Sequence, residues 1–205
     1  MSFPAAQMHT GLGLEQYFSQ RQLLSAISAQ NQPLVDQILA SERSEYVNYN
    51  IPYLEKNFVA FKEAVAFKES QGKYSVVNTL GYLGKYQFAK NTLKLLGVYD
   101  AQQFINSSKL QEDAFLAYTA RNKWILRRDI KRYNGTIING VKITESGILA
   151  AAHLAGAGNV KKYLRSKGTY HFSDAFGTTI DHYLKRFAGY DTSFIKANKH
   201  AIAAR

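Results

Sequence analysis

The chain has 205 residues, 46% of them hydrophobic, enough to bury a sizeable core and to exclude a disordered chain. Its 26 Lys and Arg against 15 Asp and Glu leave a formal charge of +11, which favours an anionic partner: nucleic acid, a membrane surface or an acidic wall polymer. With no cysteine, disulfides and thiol chemistry are excluded, and a zinc site would have to use His and carboxylates.

Met1 to His9 has neither a basic start nor an apolar run, and no later stretch reaches the ~18 apolar residues of a membrane span. The expectation is a protein with no membrane span and no standard export signal. Residues 1–50 are rich in Gln and Ser and read as two amphipathic helices. The first carries Leu14, Phe18, Leu24 and Ile27, and the second opens at Pro33 and carries Leu34, Ile38 and Leu39. They make a helical N-terminal region and a candidate docking segment, joined near Pro52 to a domain over 51–205.

From Leu54 the apolar positions Phe58, Phe61 and Val65 keep helical spacing, and their stripe runs on to Glu69 before Gly72 ends the helix. A carboxylate is thus expected on the buried face, where desolvation disfavours its ionised form and suits it to donate a proton. Between Lys73 and Phe88, Gly81 and Gly84 interrupt an aromatic-rich stretch, so a loop or short turns carrying Tyr74, Tyr82 and Tyr86 are expected, with rings able to line a cleft. A long helix is expected over Gln111 to Tyr133, with Phe115, Tyr118, Trp124 and Ile125 among its apolar positions.

Thr136 to Ile143 sets Asn139-Gly140 between β-branched residues, the strongest short signal for a tight hairpin. Thr144 can cap a helix running through Ile148 and Leu154 and broken at Gly156 and Gly158; a last helix carries Ile180, Tyr183, Leu184 and Phe187. The fold class expected is mainly α with one small β-hairpin.

Three segments, in order, resemble the motif set of lytic transglycosylases and goose-type lysozymes. They are Glu69-Ser70-Gln71-Gly72-Lys73-Tyr74, Gly84-Lys85-Tyr86-Gln87-Phe88 and Ala151-Ala152-His153-Leu154-Ala155-Gly156-Ala157-Gly158. The segment at Glu69 resembles that family's Glu-Ser motif with a following aromatic. The segment at Gly84 is similar to its Gly-x-x-Gln motif, and the segment at Ala151 to its Ala-Tyr-Asn-Ala-Gly-x-Gly motif. The resemblance spans roughly residues 55 to 190; Thr144 to Leu164 with Tyr183 to Asp191 also resemble cell-wall hydrolases of phage and secretion systems. His153-Leu154 departs from the family's Tyr-Asn, and Asn78-Thr79-Leu80 from its Ser- and Ala-rich approach to the Gly-x-x-Gln turn.

The resemblance implies a lysozyme-like α+β domain that cleaves the β-1,4 bond between N-acetylmuramic acid and N-acetylglucosamine in peptidoglycan. Glu69 takes the role of single catalytic acid and base, protonating the glycosidic oxygen and then recovering a proton. A transglycosylase supplies that proton from the sugar's own 6-hydroxyl, closing an anhydro ring, and this is the preferred reading. A lysozyme supplies it from water beside a second acid, for which Glu145, Asp100 and Asp113 are candidates. Tyr86, Gln87, His153, Gly156 and Tyr183 are the candidate substrate-binding residues, Tyr183 resembling the late tyrosine that points at the catalytic Glu. No metal or organic cofactor is required.

Peptidoglycan is therefore the expected partner. The N-terminal region is a candidate contact for a phage tail or a secretion machine. Action is expected in the periplasm or at the cell wall, reached by a non-classical route or as a processed chain. Rival readings are a metal site at His153, His171 and His182, whose spacings match no helical His-x-x-x-His pair, and a non-catalytic wall-binding module that keeps the cleft without turnover. A third is a nucleic-acid surface along Arg121, Lys123, Arg127, Arg128, Lys131 and Arg132. There a solvated basic face that helps adhesion to an anionic wall is preferred to nucleic acid.

Overall fold

The computed structural model describes residues 56–203, so the two helices, the docking segment and the Pro52 joint expected before this point lie outside the described residues. The chain divides into two units, Met1–Ile51 and Pro52–Arg205, and all the described elements belong to the latter.

Helix α1, Phe58–Ser70, begins where the Asn57 side chain accepts the Ala60 amide at 2.9 Å. Phe61, Val65, Ala66 and Ser70 form its buried face. It ends at Gln71, which is left-handed (φ 57, ψ 29) and returns its amide to Ala66 and Phe67, one residue before the expected stop at Gly72. Two helices of six residues come next, α2 (Lys90–Leu95) and α3 (Ala101–Asn106). Neither is long enough to display a period in sequence.

The spine is α4, Ser108–Tyr133, 26 residues capped by the Ser107 hydroxyl on the Leu110 amide. At ~1.5 Å per residue it is roughly 39 Å long. Strands β1 (Ile137–Ile138) and β2 (Val141–Lys142) pair antiparallel with Ile138 opposite Val141. The two turn residues, Asn139 (φ 49) and Gly140 (φ 73), both take the left-handed conformation that this tight hairpin needs.

Helix α5, Glu145–Arg165, opens under the Thr144 cap. It is interrupted at Gly156 (φ 77, ψ 150), a region open essentially to glycine alone, and passes Gly158 without the second break expected there. Helix α6, Ile180–Arg186, completes the order, capped by Thr179. The result is mainly helical with one small hairpin, as expected.

Helix α5 packs on both α4 and α6. Gly147 allows the contact with α6, because a β-carbon there would stand 2.7 Å from the Leu184 carbonyl oxygen. Phe61, Tyr86, Phe115, Leu126, Ile148 and Leu184 are among the fully buried side chains of the core, with the Tyr86 and Phe115 rings stacked at 4.2 Å.

Candidate active site

Glu69 sits in the last turn of α1 and is half-buried. The Tyr183 hydroxyl, from α6, donates to its Oε1 at 2.6 Å, and among the described residues no other side chain or amide hydrogen-bonds the Glu69 carboxyl. Tyr183 is 2% exposed. Burial first, and then the charge of Glu69, push its hydroxyl well above the usual tyrosine range, so it keeps its proton and remains a donor.

Glu69 and Tyr183 line a cleft of about 370 Å³ together with Gln87 and His153. Four candidate residues separated by up to 114 positions therefore share one concavity. Tyr82, from the glycine-interrupted stretch, lines it as well.

The Gly84 to Gln87 turn is closed by paired backbone hydrogen bonds between Leu83 and Phe88, both 2.9 Å. Three helices then fasten it. The Ser70 hydroxyl of α1 donates to the Lys85 carbonyl at 2.7 Å, and the Gln111 side chain of α4 accepts the Lys85 amide at 2.8 Å. From α5, His153 Nε2 lies 2.8 Å from the Tyr86 carbonyl, which can only accept, so Nε2 carries the proton. Among the described residues, His153 Nδ1 is buried without a hydrogen-bond partner. Gly84 permits this approach, since a β-carbon on it would lie 2.2 Å from Gln111 Oε1.

Gln87 takes a left-handed φ of 51, which turns its side chain into the cleft and that of Tyr86 away from it. The Gln87 side-chain nitrogen donates to the Gly84 carbonyl at 2.8 Å and toward Val76 at 3.4 Å. Its oxygen is thus the atom left for a ligand, as an acceptor.

Tyr86 is not a cleft residue, contrary to expectation: it is 0% exposed, stacked on Phe115, and its hydroxyl donates to Glu112 at 2.9 Å. Gly156 does not line the cleft either. Its part is conformational, redirecting α5 three residues beyond His153.

An ionic cluster braces the same turn. Lys85 is 4% exposed, and its ammonium reaches Glu63 at 2.8 Å, Glu112 at 2.9 Å and the Tyr74 hydroxyl at 3.2 Å. Glu112 also receives Lys62 at 2.5 Å and the Tyr74 hydroxyl at 2.7 Å. Burial by itself would raise the Glu112 carboxyl, but the hydrogen bonds from Lys62, Tyr74, Lys85 and Tyr86 outweigh it and hold it down at about 2. Sequence reading did not single out Ser70, Gln111 or Glu112 for a role of their own, because each acts through a partner 15 or more positions away.

The three candidate second acids lie elsewhere. Asp100 caps α3 and Asp113 pairs with Lys109 at 2.5 Å, both on a separate groove of about 1130 Å³ that holds neither Glu69 nor Tyr183. Glu145 pairs with Lys123 at 2.7 Å and accepts the Thr192 hydroxyl at 2.6 Å. The acid that does share the cleft with Glu69 is Asp174, which no motif marked.

His171 and His182 do not line the cleft, and among the described residues no three His, Cys, Asp or Glu side chains gather as a metal site would need. On α4, Arg127, Arg128, Lys131 and Arg132 are exposed, while Trp124 lies under the Arg127 guanidinium at 4.1 Å and the Lys199 ammonium at 5.3 Å. No described helix is long and apolar enough to cross a membrane. No protein-family model, curated protein or solved structure matches the chain.

Proposed function

We propose that the chain is a peptidoglycan-cleaving glycosidase of lysozyme-like type, acting as a lytic transglycosylase with Glu69 as its acid and base. The observation that carries this reading is the Glu69 carboxyl in a cleft, held at one oxygen by Tyr183 and with no protein partner at the other among the described residues. Glu69 gives its proton to the glycosidic oxygen as the bond from C1 of N-acetylmuramic acid breaks. The 6-hydroxyl oxygen of the same sugar then attacks C1, and its proton returns to Glu69, closing the anhydro ring and resetting the enzyme. Tyr183 keeps its proton throughout and holds the carboxylate in place. Gln87 accepts an acetamido N–H of the substrate through its side-chain oxygen.

One observation favours an alternative, hydrolysis: Asp174 lines the same cleft, and hydrolysis would use a second acid there to position a water. One of its oxygens accepts the amides of Phe176 and Thr178, which leaves the other for that task.

Such chemistry places the protein's action in the periplasm or at the cell wall. Digestion of purified sacculi by the wild type and Glu69→Gln, with mass spectrometry of the soluble products, tests it. Anhydro-muropeptides from the wild type alone support the transglycosylase, and reducing-end products the hydrolase. No soluble product from either rejects both and leaves a binding module.

A further inference from the structure

Two loops on the cleft, nearly a hundred residues apart, are built to one plan: Asn78-Thr79-Leu80-Gly81-Tyr82 and Asp174-Ala175-Phe176-Gly177-Thr178. In the first, Asn78 Oδ1 accepts the amides of Leu80 and Tyr82, each at 2.9 Å. In the other, Asp174 Oδ1 accepts those of Phe176 at 2.9 Å and Thr178 at 2.7 Å. The backbone repeats as closely. Asn78 and Asp174 donate to the carbonyls of Tyr82 and Thr178 at 3.1 and 3.0 Å, and accept from Gly81 and Gly177 at 3.0 and 3.1 Å. Gly81 and Gly177 share a left-handed φ of 78 and 79. Antiparallel bridges, Val77 with Leu83 and Ser173 with Thr179, close the two loops.

Each loop spends its order on its backbone and offers the large apolar side chain at its tip to water; beside Tyr82, 38% exposed, Leu80 is 54% and Phe176 69% exposed. Both line the cleft that contains Glu69. Among the described residues the Phe176 ring has no aromatic partner within stacking distance. Exposed apolar side chains on fixed backbones, gathered at a cleft that also holds a carboxylate, are a binding feature rather than a folding one.

We infer that Leu80 and Phe176 form a paired apolar clamp that seats an N-acetylhexosamine polymer strand beside Glu69 by packing on the C–H faces of its sugar rings. The identity of the ligand rests on the glycosidase reading proposed above. The clamp supplies affinity that does not depend on the charge of the substrate, and places it on residues that no motif marks. Loop shape is set by Asn78, Asp174 and the two glycines, so the tips can be shortened without unfolding their supports.

The test uses the full chain carrying Glu69→Gln, so that ligand is not consumed, with Leu80→Ala, Phe176→Ala or both added. Phe67→Ala, an exposed α1 position at 64% that lies off the cleft, is the control. Binding of an N-acetylglucosamine hexamer is measured by calorimetry, and retention on insoluble sacculi by co-sedimentation. Phe176→Ala is expected to raise Kd at least about tenfold, Leu80→Ala by somewhat less, and Phe67→Ala not at all. On the active background KM should rise while kcat stays near its parent value.

Unchanged binding in both tip variants, or an equal loss in Phe67→Ala, overturns the clamp. If the wild type still releases muropeptides, the glycosidase reading survives that result. A parent protein that neither binds hexamer and sacculi nor cleaves them overturns both.

Discussion

The Tyr183 hydroxyl meets Glu69 Oε1 at 2.6 Å and so joins α6 to the last turn of α1. Removing that hydroxyl takes away the one hydrogen bond on the Glu69 carboxyl among the described residues while leaving a buried ring of nearly the same shape. Tyr183→Phe should therefore fold normally and lose about 10- to 100-fold in kcat on sacculi, whereas Glu69→Gln should lose on the order of 10³-fold. A thermal melt beside the turnover assay separates the two causes. Equal activity of Tyr183→Phe and wild type would refute a role for this contact.

Glu112 ties acid stability to the turn. Its carboxyl titrates at about 2 in the folded protein, against an ordinary value of 4.5 when unfolded. A depressed folded pKa stabilises above the unfolded value and is lost as pH falls, so its contribution is complete above about pH 5 and drains away between there and pH 2. Glu112→Gln should flatten that part of a melting-temperature profile. At neutral pH it should also cost about 3 kcal/mol in urea unfolding, because Lys85, nearly fully buried, loses one of its two carboxylates.

Ser70 stands next to the proposed acid yet faces the Lys85 carbonyl at 2.7 Å. Ser70→Ala leaves a buried carbonyl without that donor, at a cost of about 1–3 kcal/mol, and loosens the turn that carries Gln87. The expected result is a lower urea midpoint with a raised KM. A variant with unchanged stability would remove Ser70 from the bracing scheme.

His153 makes a prediction that needs no substitution. Because the Tyr86 carbonyl accepts from Nε2, nitrogen NMR of the folded protein near neutral pH should show the Nε2-protonated tautomer. An Nδ1-protonated ring would contradict the geometry that fastens α5 to the turn.

Much of the fold was legible because its signals are local. Apolar spacing in α4 and the Asn139-Gly140 pair each declare their element within one window of sequence, and both elements stand where that reading put them. Helices α2 and α3 were not foreseen, since six residues hold less than two turns of period. At the site, Gln87 is the fixed residue of the Gly-x-x-Gln motif and its neighbour Tyr86 one of the free positions, and the left-handed backbone at Gln87 turns Gln87 rather than Tyr86 into the cleft. That conformation is imposed by Ser70, Gln111 and His153 from three different helices, so no window of sequence contains it. Asp174 and Phe176 escaped for a plainer reason. Their short loop carries neither a period nor a family motif.

The turn from Gly84 to Gln87 is fastened from outside by α1, α4 and α5, and this changes where damage to the protein should be sought. In a random mutagenesis screen, inactive clones would not be confined to residues that face substrate, such as Glu69 and Gln87. They would map also to Ser70, to the adjacent pair Gln111 and Glu112, and to His153, stretches far apart in sequence that would look unrelated until the turn they hold in common is recognised.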